Sequence, residues 1–307
     1  METILFSSYG DNTSSLMFGG LQDTFIYNGF KYAKIEYHRD ADIIFDDRSS
    51  YSVISSRNLN PDKKLVNHNR FPKYAYAELF KRAAKDLKSK HFISVPHHRG
   101  INSFEVKANS TYLLKPNFSA NGDFMVELNK NISLYAQDKI VNLFLNEKTD
   151  LEQFKKELET NEIKHTIHSN NEKEIRNVFN CGYSIVEVIP NVIEEYRILT
   201  NYRGEFSCIA PRTLDHAGLN IKQATLVVRP LTDISYKADH YLDKAIASEV
   251  SKLIAHLKMP LHSFDLFITQ DGKFGFFEAS NEFGLSNAPN GWLHEQSMKF
   301  IDSIRAS

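Results

Sequence analysis

Residues Phe264 to Leu285, FDLFITQDGKFGFFEASNEFGL, restrict this chain more than any other stretch. Two runs of apolar and aromatic residues flank Gln270-Asp271-Gly272, and Asp-Gly between such runs marks a tight β-hairpin turn. One acid, Asp265, starts the first run and another, Glu278, ends the second. Closing the hairpin brings both carboxylates to one end of a sheet. Any hairpin can carry acids for solubility. Here, however, FGFFEAS leads from a strand of buried character straight into Glu278, where an unpaired carboxylate is costly to desolvate. A cation offsets that cost. Hard oxygen donors placed close together are what Mg²⁺ needs when it also holds nucleotide phosphates, and Asn281 can add a neutral oxygen.

The rest of the chain reads as alternating strands and helices, which suggests an α/β (α+β) architecture. TILFSSY and ADIIFDD are short apolar runs that stop where polar residues take over, so they read as buried strands. Tyr74 to Leu87 carries apolar residues at helical spacing. In STYLLKPNFSANGDFMVEL a strand ends at Lys115-Pro116, small polar residues make a turn, and a second strand follows. From Asp138 to Asn180 the chain is strongly charged, with helices expected near Asp150–Thr160 and Asn171–Phe179 and an exposed lobe as the result. YSIVEVIP, EYRILTNY, GEFSCIAP and ATLVVRP read as an antiparallel series. LDKAIASEVSKLIAHL has one apolar helical face, and a last amphipathic helix is expected over Leu293–Ile304.

Composition narrows the function classes. The chain has 307 residues, 42% hydrophobic and 24% charged, enough for more than one core. A net charge of −1 gives no overall basic field for nucleic acid or membrane. Cys181 and Cys208 are the only cysteines and form no CxxC pattern, which speaks against a disulfide framework or a structural zinc. METILFSSYG lacks the basic start and long apolar run of a signal peptide, and no run has the length of a membrane span. A cytoplasmic protein is expected.

Asp265, the Asp-Gly turn, Glu278-Ala279 and Gly284-Leu285 together resemble the C-terminal metal hairpin of the ATP-grasp superfamily, in particular its carboxylate–amine ligases. The resemblance runs in order from about Phe71 to Ser307 and implies an ATP-grasp fold behind an N-terminal α/β pre-ATP-grasp domain. Residues 1–90 would form that domain. Residues 91–307 would form the ATP-grasp domain, with a nucleotide-covering lobe at about 110–190 and a metal and substrate lobe at about 191–307. It implies Asp265, Glu278 and Asn281 as Mg²⁺ ligands. The family usually reads Glu-x-Asn where this chain has Glu278-Ala279-Ser280-Asn281, so the third ligand stays open between Ser280 and Asn281.

Upstream, Lys115 matches the family's strand lysine on nucleotide phosphate, and Ser119, Asn121 and Gly122 lie in a turn like its phosphate-covering loop. A lysine leaving a rigid strand supplies a fixed charge, and small residues let backbone N–H groups approach phosphates. Lys73 matches an earlier phosphate-binding lysine. Glu187, Val188 and Ile189 fall at the hinge that frames adenine, and Glu195 at the ribose-binding acid. Arg197 matches an arginine at the substrate and phosphate end. Arg212 and Arg229 follow at strand ends, where bidentate pairing with an acyl phosphate or a carboxylate is open to them. Ser263 stands where some ligases have a transition-state arginine.

The function implied is ATP-dependent activation of a carboxylate as an acyl phosphate, attacked by an amine-type nucleophile with release of ADP and phosphate. The acceptor is left open between a small molecule, a peptide and a macromolecule, and the oligomeric state is not specified. Two other readings share the ATP half: an ATP-grasp kinase and a nucleotide-binding sensor or scaffold with a decayed site.

Overall fold

The computed structural model describes residues 3–8, 24–27, 30–34, 43–47, 64–66, 73–98, 110–116, 125–128, 151–165, 183–212 and 233–280, with 292, 295, 296, 299, 302 and 303. The N-terminal strands β1 (Thr3–Ser8), β2 (Thr24–Tyr27), β3 (Phe30–Lys34), β4 (Ile43–Asp47) and β5 (Lys64–Val66) form one sheet in the order β2-β3-β1-β4-β5. β1 runs parallel to β3 and β4, and β4 parallel to β5, whereas β2 and β3 make an antiparallel hairpin. The runs TILFSSY and ADIIFDD are therefore parallel neighbours, with Leu5 opposite Ile44.

Helix α1 (Lys73–Asp86) buries Tyr76, Ala77, Phe80, Ala83 and Ala84, the stripe its spacing foretells. It ends at Lys88, in the left-handed region at φ 52°, with the Ser89 N–H reaching back to the Ala84 carbonyl at 2.9 Å. Phe80 packs on Phe264 and Phe276, which belong to the C-terminal strands.

Those strands form the second sheet, β11-β10-β12-β13, from β10 (Val192–Thr200), β11 (Phe206–Arg212), β12 (Ser263–Thr269) and β13 (Phe274–Ser280), all antiparallel. The third sheet, β6-β9-β7-β8, contains β6 (His97–His98), β7 (Tyr112–Pro116), β8 (Val126–Leu128) and β9 (Tyr183–Glu187). The expected single series from YSIVEVIP to GEFSCIAP is thus divided. β9 pairs with β6 and β7, and β10 pairs with β11 and β12. Pro190 and Asn191 (φ 59°) turn the chain between them, so β9 and β10 enter different sheets. ATLVVRP and the helix expected over Asn171–Phe179 lie outside the described residues.

Helix α2 (Leu151–Thr160) stands where the charged segment predicts it. It is not fully exposed, because Leu158 and Ile163 are buried and the chain after α2 runs back along β8, with the Glu127 N–H on the Lys164 carbonyl at 2.9 Å. Helix α3 (Lys244–Leu257) is capped by Asp243, whose Oδ1 accepts from the Ala245 N–H at 2.8 Å. It presents Ile246, Val250, Leu253 and Ile254 to the same core as α1. Near the C-terminus, Trp292 donates from Nε1 to Ser207 Oγ at 3.0 Å, and Gln296 accepts from the Tyr202 N–H at 3.3 Å. Among the described residues no helix is long and apolar enough to cross a membrane.

Two layers result, with α1 and α3 covering one face of the second sheet. The edge strand β13 is closed by the segment His91–Ile93, whose Ile93 N–H donates to the Phe274 carbonyl at 2.8 Å. That segment crosses directly over Gly275. A Cβ there would stand 2.4 Å from the Ile93 carbonyl oxygen and 2.5 Å from the Phe267 ring. Gly275→Ala is therefore expected to destabilise the fold by about 1–3 kcal/mol through overpacking. Equilibrium denaturation measures it, and an unchanged midpoint would show that the edge segment relaxes freely.

Candidate active site

Side chains alternate across a strand, so the helix-covered face identifies its opposite. Phe264, Leu266 and Ile268 of β12 and Tyr196 and Ile198 of β10 face the α1–α3 core. Asp265 and Phe267, with Glu195 and Arg197, consequently share the other face. The register sorts them into two lateral rows. Arg197, Asp265 and Glu278 are successive cross-strand partners, and in the next row Arg212, Glu195, Phe267 and Gly275 are.

Simple alternation would put Phe276 and Glu278 on one face, yet Phe276 is packed against the helices. A bulge resolves this, because Asp265 pairs with Glu278 while the next residue, Leu266, pairs with Phe276. Phe277 is the extra residue, and the strand changes parity there. Phe276 and Ala279 face the helix core. Phe277 stacks on Phe267 at 4.4 Å on the opposite face, beside Glu278.

Ion pairs knit the site together. Arg197 grips Asp265 with two bonds, Nε to Oδ1 at 2.9 Å and Nη2 to Oδ2 at 3.2 Å. Arg212 adds Nη1 to Oδ2 at 2.6 Å. From the start of α1, Lys73 Nζ reaches Glu278 Oε2 at 3.4 Å. Lys115 enters from β7 of the third sheet and is buried.

The pKa shifts follow from this crowding. Burial lowers the Lys115 pKa to about 8, helped by Lys73 and opposed by Glu278, Glu195 and Asp265. Burial raises the Glu195 pKa, with Arg212 pulling the other way. For Asp265 burial acts upward, but Arg197 and Arg212 outweigh it and hold the carboxyl below its ordinary value. Asp265 in turn raises the Arg212 pKa. Four cations and three carboxylates thus face one another, an arrangement with capacity for an added anion.

Seven residues singled out from sequence therefore converge: Lys73, Lys115, Glu195, Arg197, Arg212, Asp265 and Glu278. Ser119, Asn121, Gly122, Arg229 and Asn281 lie outside the described residues. At the hinge, two backbone donors are engaged within the protein. The Glu187 N–H donates to the Pro96 carbonyl at 3.1 Å and the Val188 N–H to the Thr111 carbonyl at 2.8 Å, and the Glu187 carboxylate accepts from Ser110 Oγ at 2.8 Å. Those donors are engaged because β9 is a central strand of its sheet. Ile189 lies in an apolar cluster with Val95, Val186, Val192, Phe267 and Phe277, which adjoins the charged rows. Sequence reading missed Phe267 and Phe277. Their signal was the aromatic run that brackets the Asp-Gly turn.

Hard carboxylate oxygens at opposed positions suit Mg²⁺ in type. Glu278 is the more open of the two, with its side chain 34% exposed against 9% for Asp265. Among the described residues no group of three or more His, Cys, Asp or Glu forms a complete protein cage. Glu278, the open carboxylate, fits an ion whose other positions are filled by phosphate and water.

No protein-family model matches the chain, and no curated protein matches it. Its structure is similar to that of N5-carboxyaminoimidazole synthetase from Staphylococcus aureus, with a TM-score of 0.50 and 10% identity over 98% of this chain and 77% of that one. A RimK domain ATP-grasp protein from Sphaerobacter thermophilus superposes with a TM-score of 0.49 and 12% identity, over 98% of this chain and 99% of that one. The chain has an α+β fold like that of the N5-carboxyaminoimidazole synthetase.

Proposed function

We propose that the chain is an ADP-forming ligase that uses ATP to activate a carboxylate for attack by an amine-type nucleophile. The observation that carries this reading is the single sheet face on which four cations and three carboxylates from α1, β7, β10, β11, β12 and β13 meet. Such a face suits a polyphosphate and its counter-ion better than a neutral substrate. Phosphoryl transfer depends on positioning and electrostatics rather than on a protein nucleophile, and the site matches that requirement.

Lys115 and Lys73 neutralise phosphate charge from two directions, one from the third sheet and one from the start of α1. Glu195, one row away, takes the ribose hydroxyls, and Ile189, Phe267 and Phe277 offer an apolar wall to the base. Arg197 and Arg212 hold the acyl carboxylate and the transferred phosphoryl group through charge-assisted hydrogen bonds. Glu278, beside Asp265, would hold Mg²⁺, which when bound offsets charge on the phosphates. The γ-phosphoryl group moves from ATP to a carboxylate oxygen with ADP leaving; the nucleophile then takes the acyl carbon and phosphate departs.

The test is nucleotide analysis after incubation of the full chain with Mg–ATP and panels of amino acids, small acids and amines. ADP and phosphate in step with a new amide are expected. AMP and pyrophosphate would rule out acyl-phosphate chemistry, and a product phosphorylated on a hydroxyl would make the protein a kinase.

A further inference from the structure

The two carboxylates of the hairpin are opposite each other in register but differ in what already surrounds them. Asp265 accepts three hydrogen bonds, one on Oδ1 and two on Oδ2, from guanidiniums on two different strands. A carboxylate has about four acceptor sites; Oδ2 takes two of these bonds, and Oδ1, which takes the third, also has Arg197 Nη2 2.9 Å away. The residue is buried, and detaching either arginine would leave a desolvated charge behind. Two guanidiniums against one carboxylate also leave a local excess of positive charge, which repels a dication. Among the described residues Glu278 has one ion-pair partner, Lys73 at 3.4 Å, and its side chain is 34% exposed.

We propose that Asp265 is a positioning residue that sets Arg197 and Arg212 for an anionic ligand, and that the divalent cation of this site rests on Glu278 rather than on Asp265. This rests on the ATP-binding reading above and divides duties that the sequence pattern assigns jointly. Arg197 is locked by two bonds. Among the described residues Arg212 is tethered by one nitrogen, and its side chain is 39% exposed, so its other donors can turn toward an anion.

The experiment is thermal melting of the full-length protein with the non-hydrolysable analogue AMPPNP, in EDTA and across a Mg²⁺ titration, for wild type, Asp265→Asn and Glu278→Gln. Asp265→Asn should weaken metal-free AMPPNP binding about 10-fold or more, because the arginines lose their anchor. Its Mg²⁺ midpoint should stay within about 3-fold of wild type. Glu278→Gln should do the reverse, raising the Mg²⁺ midpoint about 10-fold or more with little change in EDTA. A merely structural role for Asp265 would not produce this split. An Asp265→Asn midpoint raised about 10-fold, or unchanged metal-free binding, overturns the assignment alone. Absence of any AMPPNP shift in the wild type overturns it together with the ATP reading. Should Asp265→Asn fail to fold, the double variant with Arg212→Gln removes one charge of each sign, and its Mg²⁺ midpoint is again expected to stay in place.

Discussion

Glu278→Gln should lower turnover by about 100-fold or more and leave the folded protein nearly as stable as wild type. The substitution keeps the shape of the side chain and removes its charge. Glu278 stands at the end of β13, directly opposite Asp265 and partly open to solvent. Its pairing with Lys73 is long, so its loss costs about 1 kcal/mol or less. The charge it would bring to the phosphates acts where negative charge is transferred, so removing it is felt in the chemical step. The measurement is ADP release alongside thermal melting with and without Mg–ATP. Normal turnover in a folded Glu278→Gln protein would discard this carboxylate as a functional group. An inert wild type that still melts higher with ATP would instead favour a sensor.

Lys115→Met should stabilise the protein near neutral pH and at the same time weaken nucleotide binding. The folded-state pKa of Lys115 is lowered from 10.5 to about 8, chiefly by burial. A lowered lysine pKa means that the folded state disfavours the charge. Below pH 8 both folded and unfolded chains carry the proton and the cost is present in full, about 3 kcal/mol from the size of the shift. Between pH 8 and 10.5 the unfolded chain binds the proton that the folded one releases, so wild-type stability from this group rises with pH. The advantage of Lys115→Met over wild type should accordingly be largest at pH 7 and fade toward pH 10.5. Nucleotide affinity should fall by about 1.5–3 kcal/mol, the worth of a charged hydrogen bond. Denaturant unfolding at pH 7 and pH 10, with calorimetric titration of AMPPNP, checks both halves. A variant less stable than wild type at pH 7 would mean that the surrounding carboxylates outweigh burial.

Such a conflict between charge and burial is what made this cluster of residues legible in the sequence. Lysine, arginine and acid at strand ends inside apolar runs are locally inconsistent with burial, and that inconsistency is readable without coordinates. Lys115 follows Leu113-Leu114, Asp265 follows Phe264, and Glu278 follows Phe276-Phe277. Each stands where a strand of buried character meets a charge. The helices were legible for a related reason, since the stripes of α1 and α3 repeat at the helical period and their ends carry cap residues such as Asp243. The division of YSIVEVIP from EYRILTNY was not legible. Strand pairing is a long-range choice, and nothing local distinguishes a strand that pairs with residues 112–116 from one that pairs with residues 263–269.

The sequence by itself determined the elements and the chemistry they carry: the hairpin about Gly272, the helical stripes, and charged side chains at strand ends. It could not decide which faces those side chains would share. Period-2 alternation in FGFFEAS puts Glu278 on the same side as Phe276, in the core under α1 and α3. The bulge at Phe277 reverses that parity, sends Phe277 onto Phe267 and turns Glu278 toward Asp265 and Lys73. A bulge depends on what packs against both faces of the sheet at once. Here Phe80 and Phe264 draw Phe276 one way, while the cluster of Val95, Val186 and Phe267 draws Phe277 the other. Those residues come from four separate parts of the chain, so the position of the carboxylate was settled only when the chain had packed.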